Sequence, residues 1–279
     1  MTSYILITGV TGGLGSAFVI ECAKRGFPIF LTDVSEAGSR FANYLSENYH
    51  IETRFKSCDL TSPDKRKEFY DYLQMDNIQF RGLINVAGVD YEGEFLTRSR
   101  DQILTILNLN VVSTVDTTQA ILRLRDESTH FMLINVCSLA AISPMPYKAI
   151  YAATKRFLLD FSLAIREEIK PFGSVTALCP AGMPTTNENM RAIFAQGFWG
   201  QVTTLNTDVV ARITLQAALK GRPIVVPGIL NSFIRWMAGW LPVSVSARLV
   251  ANRWRLAQQQ NLIQPWRQDY PLLDEGVPG

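Results

Sequence analysis

The chain has 279 residues, of which 47% are hydrophobic and 19% charged, and its formal net charge is +2. This composition excludes a disordered or fibrous protein and is typical of one large α/β domain with a substantial core. No charged segment followed by a long apolar run opens the sequence, so we expect no signal peptide and a cytoplasmic location. The scattered positions of four cysteines and two histidines predict buried reduced thiols and no metal site.

Short apolar runs alternate with amphipathic segments along the chain. Strands are predicted at residues 4–7, 28–31, 51–55, 82–85, 131–136, 175–178 and 224–226. Helices are predicted at 13–25, 36–48, 63–73, 102–125 and 150–169. Strands that are apolar throughout indicate a parallel sheet covered on both faces. The sequence therefore predicts a Rossmann-type doubly wound α/β fold, a three-layer αβα domain over 1–228, with a helical extension and tail over 229–279 packed on the same domain.

A glycine-rich turn joins the first predicted strand to the first predicted helix. Missing side chains let the backbone approach a pyrophosphate, and the start of the helix supplies free N–H groups and a positive dipole end. The strand-turn-helix context therefore predicts a dinucleotide site. Its residues are Thr8, Gly9, Thr11, Gly12, Gly13, Leu14 and Gly15.

Asp33 ends the second predicted strand, eighteen positions after Gly15. A carboxylate at that point can accept hydrogen bonds from the adenosine ribose hydroxyls and disfavours a 2′-phosphate. Because no lysine or arginine lies in the turn or directly after Asp33, we expect NAD, with NADP as the alternative. Asp33 could instead cap the following helix.

Tyr151 and Lys155 lie one helical turn apart, and Ser138 follows the fifth predicted strand. A tyrosine with a pKa of about 10 is a poor base near neutrality, and a neighbouring ammonium group favours its phenolate. Ser138 lies at the carboxyl edge of the sheet, where doubly wound folds bind ligands. The three residues predict an acid–base centre for hydride transfer between an alcohol and a ketone. Tyr147 has no lysine at the same spacing and is expected to shape the substrate pocket.

These motifs resemble the short-chain dehydrogenase/reductase (SDR) family, in its classical branch, over about the first 230 residues. The resemblance implies Ser138, Tyr151 and Lys155 as the catalytic trio, with Asn110 holding a water that relays protons to Lys155. It also implies cofactor contacts from Asp59, Leu60, Asn85, Ala87, Gly88, Tyr151, Lys155, Pro180 and Gly182.

The chain departs from the family pattern at two positions, with Val86 in place of a second asparagine and Ala181 inside the usual Pro-Gly pair. The family implies a homodimer or homotetramer through the helices at 102–125 and 150–169. Two alternatives stay open, a member of the extended epimerase-like branch and a catalytically silent nucleotide-binding regulatory or scaffold protein. Nucleic-acid binding is disfavoured, because the aromatic residues of the basic segment are clustered with aliphatic ones.

The carboxyl-terminal part carries eight basic and no acidic residues between Asp208 and Asp269. Within it, residues 229–241 are rich in large apolar side chains but too few and too charged to span a bilayer. We expect this run to be buried against the pocket or a partner subunit, with peripheral membrane contact through 229–256 as the alternative. Residues 183–201 predict an apolar lid or a core segment. These apolar segments favour a lipid, steroid or acyl-type substrate.

Overall fold

The computed structural model describes residues 2–183, 204–238, 240 and 242–259. Within them one parallel sheet has the strand order β3-β2-β1-β4-β5-β6-β7. The order reverses between β1 and β4, so the carboxyl ends of these strands form the crevice where doubly wound folds bind ligands. The strands are β1 (Ser3–Thr8), β2 (Ile29–Thr32), β3 (Thr53–Phe55), β4 (Gln79–Asn85), β5 (Phe131–Val136), β6 (Gly173–Leu178) and β7 (Ile224–Val225).

Helices cover both faces of the sheet, which confirms the predicted three-layer α/β fold. They are α1 (Gly13–Ala23), α2 (Ala37–Tyr49), α3 (Pro63–Met75), α4 (Arg100–Leu107), α5 (Ser113–Arg123), α6 (Ala149–Ile169), α7 (Thr207–Leu219), α8 (Ile229–Ala238) and α9 (Val243–Gln259). Helices α1, α2 and α7 pack on one face, and α3, α5 and α6 pack on the other.

Buried aromatic rings fill the layer between the sheet and α3. Phe30 on β2 contacts Phe69 and Phe80 with ring centroids 6.0 Å apart, at the tilted angles that aromatic pairs favour. All three side chains are almost fully buried, and each contributes roughly 1.5–3 kcal/mol through burial alone. This packing holds β1, β2 and β4 in the register that forms the crevice.

The single helix predicted over 102–125 is interrupted in the structure. A π-helical turn, Asn108–Val112, separates α4 from α5. The hydroxyl of Ser113 donates to the carbonyl of Leu109 (2.6 Å), and the hydroxyl of Thr114 donates to the carbonyl of Asn110 (3.0 Å). These bonds satisfy carbonyl groups that the wider turn loosens, and such turns recur at functional sites.

All four cysteines are buried and have free thiols, as expected from their spacing. In the described part of the chain, no helix has the length and hydropathy to cross a membrane. No three metal-ligating side chains form a group there either. The predicted lid lies outside the described residues except for Met183, which packs against the core beside α1.

Candidate active site

The glycine turn after β1 is closely packed at Gly9 and Gly15 and open at Gly12. Gly9 has a φ of +69°, and a Cβ atom there would lie 2.9 Å from the Cα of Ala87. At Gly15 a Cβ atom would lie 2.0 Å from the carbonyl oxygen of Gly9, so any side chain would force the turn apart. At Gly12 the nearest atom would be that same oxygen at 3.5 Å, which leaves space for a ligand.

Gly12 is also the N-cap of α1, and no side chain caps this helix. The first turn of α1 contains no acidic residue, so its N–H groups and positive dipole end are available to an anion. This open cradle fits the pyrophosphate of a dinucleotide.

Thr8 connects this turn to the loop after β4. Its hydroxyl oxygen accepts hydrogen bonds from the backbone N–H groups of Val86 (3.0 Å) and Ala87 (3.1 Å). The two strand ends on either side of the topological reversal are therefore held together. The side chain of Thr8 thus positions both the cofactor turn and the segment leading to Gly88.

The carboxylate of Asp33 lies over the glycine turn. One of its oxygens accepts hydrogen bonds from the N–H (2.9 Å) and the hydroxyl (3.0 Å) of Thr11, and the other accepts from the N–H of Ser35 (3.0 Å). The bond to Ser35 is the local turn expected of an aspartate before a helix. The bonds to Thr11 place the charge at the cofactor turn as well.

Two other predicted cofactor residues lie beyond β3. Asp59 is exposed and accepts hydrogen bonds from the N–H (2.9 Å) and hydroxyl (2.7 Å) of Thr61. Leu60 is buried, and its carbonyl accepts a hydrogen bond from Arg66. The two residues are thus held in a fixed turn at the carboxyl edge of the sheet.

The side chain of Asn85 lies in the protein interior. Its amide nitrogen donates to the hydroxyl of Thr118 (3.0 Å) and to the side-chain oxygen of Asn135 (2.8 Å). The amide nitrogen of Asn135 in turn donates to the hydroxyl of Ser162 (2.9 Å). This buried network links α5, β4, β5 and α6. The side-chain amide of Asn85 therefore fixes the end of β4, from which residues 86–88 extend.

Ser138 and Tyr151 meet at the carboxyl edge of the sheet. Ser138 is the second residue after the end of β5. Its hydroxyl accepts a hydrogen bond from the N–H of Ala140 (3.1 Å). The pKa of Tyr151 is raised to about 12, mainly by burial and then by the nearby carboxylate of Asp90, whereas the hydrogen bond with Ser138 acts against this rise. The phenol of Tyr151 is therefore protonated near neutral pH.

Lys155 lies one turn further along α6. Its ammonium nitrogen is 5.6 Å from the centre of the Tyr151 ring and donates to the carbonyl of Val136 (2.8 Å). Burial lowers the pKa of Lys155. A Cβ atom at Gly88 would lie 3.4 Å from this nitrogen and 3.1 Å from the side-chain oxygen of Asn110, so glycine permits the close approach of both groups.

Asn110 lies in the π-helical turn and is fully buried. Its side chain accepts from the N–H of Val89 (2.9 Å) and donates to the carbonyl of the same residue (2.9 Å) and to the hydroxyl of Thr154 (3.2 Å). These bonds hold the loop after Gly88 against α6. Asn110 thus has a positioning role in the structure. The role that the family implies for it, holding a water that relays protons to Lys155, stays a prediction.

Pro180 and Gly182 follow β6 on the same edge. The carbonyl of Pro180 accepts a hydrogen bond from the N–H of Leu139 (2.8 Å), which ties this segment to the turn that carries Ser138. Gly182 is exposed. The structure thus brings Asn110, Ser138, Tyr151 and Lys155 together between the glycine turn and this segment.

An ion-pair cluster beside Tyr151 was missed by the sequence interpretation. The Lys148 ammonium lies 2.7 Å from the carboxylate of Asp90, also pairs with Glu92, and is 5.7 Å from the centre of the Tyr151 ring. Burial lowers the pKa of Lys148, but the two carboxylates outweigh it, so the pKa is raised. Lys148 favours the phenolate of Tyr151, and Asp90 opposes it.

A cleft opens beside this cluster. Tyr147 adopts a φ of +67°, and its carbonyl accepts a hydrogen bond from the N–H of Gly93 (2.8 Å), which joins the loops before α4 and α6. The position of Tyr147 agrees with its expected role in shaping a pocket. The cleft is lined by Tyr91, Gly93, Phe95, Arg98, Tyr147, Ala149 and Ile150.

Comparison with known proteins places this site in a family. The short chain dehydrogenase family model matches residues 3–193. The very-long-chain 3-oxoacyl-CoA reductase of Mus musculus is 27% identical over 277 aligned residues, which cover 92% of this chain and 84% of the relative.

Solved structures share the fold. The bulky-bulky ketone specific alcohol dehydrogenase from Comamonas testosteroni has a TM-score of 0.71 at 21% identity, with 97% of each chain covered. A short-chain dehydrogenase from Sphingobium yanoikuyae in complex with NADPH has a TM-score of 0.71 at 22% identity, covering 97% of this chain and 99% of that one. One from Burkholderia phymatum in complex with NAD has a TM-score of 0.71 at 19% identity, covering 84% and 92%. The chain therefore belongs to the short-chain dehydrogenase/reductase family, a family of oxidoreductases with a Rossmann-type fold that binds NAD or NADP.

Proposed function

We propose that the protein reduces the ketone of an apolar, acyl-type substrate to an alcohol, with NADH as the reductant. The observation that carries this proposal is the partly buried phenol of Tyr151, which is hydrogen-bonded to Ser138 and has its ring centre 5.6 Å from the Lys155 ammonium. A proton donor, an orienting hydroxyl and a cation are the groups that ketone reduction requires from the protein.

The protonation state of Tyr151 favours the reductive direction. With a pKa of about 12, the phenol holds its proton near neutrality and can donate it to a carbonyl oxygen. Ser138 orients that oxygen by a hydrogen bond, and the positive charge of Lys155 stabilises the phenolate left behind. The reduced nicotinamide, when bound, supplies the hydride. Asn110 and Lys155 would return a proton to the phenolate.

The cofactor would be held along the crevice between β1 and β4. The glycine turn and the start of α1 would hold the pyrophosphate, Asp59 and Leu60 would lie toward the adenine, and Ala87 and Gly88 would line the path to Lys155. Asp33 favours NAD because its negative charge at the turn would repel a 2′-phosphate. Asn85 would act indirectly, because its side chain fixes the carboxyl end of β4. Pro180 and Gly182 would border the nicotinamide.

The substrate class rests on the relatives and on the cleft. The mouse relative bears the name of a very-long-chain 3-oxoacyl-CoA reductase, and the Comamonas neighbour that of a bulky-bulky ketone specific enzyme. In this chain the cleft beside Tyr147 has aromatic walls and the guanidinium of Arg98, whose Nε atom is buried without a hydrogen-bond partner. Aromatic walls suit an apolar chain, and a guanidinium suits an anionic carrier group.

We further propose a homo-oligomer that assembles through α4, α5 and α6. Leu104 and Leu107 are exposed on α4, and Val112 is exposed at the end of the π-helical turn before α5. On α6, Phe157 is exposed and stacks on Phe161 with ring centroids 6.1 Å apart. Exposed apolar side chains at helical spacing are typical of a subunit contact. The buried free thiols suit a reducing compartment such as the cytoplasm.

The proposal is tested by turnover of 3-oxoacyl thioesters of increasing chain length with NADH or NADPH. We expect the corresponding hydroxy product, seen by mass spectrometry as a gain of two hydrogens, and a kcat/KM that rises with chain length because longer chains bury more apolar surface. We also expect kcat/KM to be higher with NADH. A clear preference for NADPH would contradict the role of Asp33. Absence of any turnover with intact NADH binding would support the silent nucleotide-binding alternative.

The ion-pair cluster predicts opposite effects of two substitutions on alcohol oxidation. Oxidation needs the Tyr151 phenolate, so below its pKa the rate rises with pH. Removing the cation in Lys148→Met raises the pKa of Tyr151 and lowers the rate at pH 9, whereas Asp90→Asn lowers that pKa and raises the rate. Each rate should change about tenfold, because the Coulomb energy between the Tyr151 phenolate and one partly screened neighbouring charge corresponds to about that factor.

Lys148→Arg is the matched control, because it keeps the charge and should keep the pH dependence. If Lys148→Met and Asp90→Asn both lowered the rate without moving the pH profile, the cluster would only hold the loop after Gly88 in place.

A further inference from the structure

Among its described side chains, helix α8 buries the polar Asn231 and exposes large apolar residues. Asn231 is only 2% exposed, and its side chain donates to the carbonyl of Pro227 (2.8 Å). By contrast, Ile229 is 94% exposed and Trp240, just beyond the helix, is 75% exposed. A helix on a water-facing surface shows the reverse arrangement. Ile229, Phe233, Trp236 and Trp240 are therefore not buried against their own chain, and the expected burial against a partner subunit stays a prediction.

The exposed side chains form a continuous stripe, which we call the aromatic face: Ile229, Phe233, Trp236 and Trp240. They recur at intervals of four, three and four residues and so lie on one side of the helix. The Phe233 and Trp236 rings are 6.0 Å apart, and the Trp236 and Trp240 rings 6.1 Å. Phe233 and Trp236 are each more than half exposed.

Helix α9 repeats the arrangement and connects it to the active site. Ser246 is buried and hydrogen-bonded to the hydroxyl of Ser143 (2.9 Å), whereas Val245 and Leu249 are exposed. Ser143 lies in the loop between Ser138 and Tyr151. Helix α9, with its outward apolar side chains, therefore packs against the loop between Ser138 and Tyr151.

The charge of the segment that contains the aromatic face indicates what covers it. The segment between Asp208 and Asp269, which contains both helices, has eight basic and no acidic residues. Arg248 on α9 and Arg212 on α7 are exposed. A second copy packed on this face would bring two basic segments together, which repulsion disfavours. An anionic bilayer attracts them, and tryptophan is favoured at its interface.

We propose that the aromatic face of α8, with the exposed side of α9, inserts into the interface of an anionic lipid bilayer. The contact is peripheral, since no described helix is long and apolar enough to cross the membrane. Resting on the proposed function, it would also let an apolar ketone pass from the bilayer to the site beside Ser143 without crossing water.

The test is sedimentation of the full chain with vesicles of phosphatidylcholine alone or with about one-third phosphatidylserine, without cofactor or substrate. We expect binding to the anionic vesicles that weakens with salt and falls at least about tenfold in Trp236→Ser/Trp240→Ser. Met75→Ser is the matched control, because Met75 is an exposed apolar residue at the end of α3 and should leave binding unchanged.

Two results would overturn the proposal. One is equal sedimentation with and without anionic vesicles. The other is normal vesicle binding by the double variant, or a molecular mass of that variant in analytical ultracentrifugation that is half the mass of the unaltered protein. A halved mass would assign the face to a second copy. Circular dichroism and NADH fluorescence check that the variants fold. Because vesicle binding is measured without turnover, its failure is distinguishable from failure of the proposed reaction.

Discussion

Replacing Tyr151 with phenylalanine is expected to lower kcat for ketone reduction by about 10³-fold or more, with NADH binding and stability nearly unchanged. The substitution removes the proton donor and leaves the ring in its partly buried position. General acid catalysis contributes typically about 10²–10⁴-fold, and the loss of the hydrogen bond to Ser138 adds to this. Single-turnover oxidation of NADH in the presence of a turned-over ketone measures the chemical step directly.

Tyr147→Phe is the matched control for this experiment. Tyr147 lies four residues before Tyr151, just outside α6, and lines the cleft, so its hydroxyl can be removed without removing the proton donor. We expect it to change KM more than kcat. If Tyr151→Phe kept more than about a tenth of the wild-type kcat, Tyr151 would not be the proton donor.

Features encoded by neighbouring residues could be predicted from the sequence. The strand β5 has the predicted bounds, because five of its six residues are apolar, as expected for a fully covered strand. The glycine turn could be predicted because each glycine is required by its neighbouring backbone. Gly9 adopts a left-handed φ, and Gly15 has no space for a Cβ atom.

Features that depend on tertiary contacts could not be predicted. The π-helical turn at Asn110 forms where hydroxyls of Ser113 and Thr114 bond back to the preceding carbonyls, and no apolar periodicity signals it. The pairing of Lys148 with Asp90 joins residues 58 positions apart in sequence. A charged residue three positions before the candidate tyrosine was the signal that could have drawn attention to it.

The orientation of α8 shows a further limit of sequence patterns. Its apolar stripe correctly indicates an amphipathic helix, but the same stripe would be seen whether it faced the core or the exterior. Burial of Asn231 by its bond to Pro227 decides between them, and that bond depends on the backbone after β7. The alternative of membrane contact thus gains support only once the fold is known.

Replacing Gly15 with alanine is expected to lower the affinity for NADH at least about a hundredfold and to lower Tm. The added Cβ would lie 2.0 Å from the carbonyl oxygen of Gly9, a backbone atom that moves only if the whole turn moves. Because the turn also packs against Ala87, the strain would spread to the strand ends that form the crevice. NADH fluorescence titration and thermal unfolding measure the two effects.

Gly12→Ala separates ligand space from packing in the same turn. Gly12 has an extended backbone (φ −74°, ψ 155°) that alanine can adopt, and its Cβ would meet no atom closer than 3.5 Å. Stability should therefore change by less than about 1 kcal/mol, the scale of an N-cap substitution, while the methyl group enters the open cradle and weakens NADH binding at least about tenfold. Unchanged NADH affinity in Gly12→Ala would mean that the pyrophosphate does not lie against the start of α1, since only a ligand at that point would meet the added methyl group.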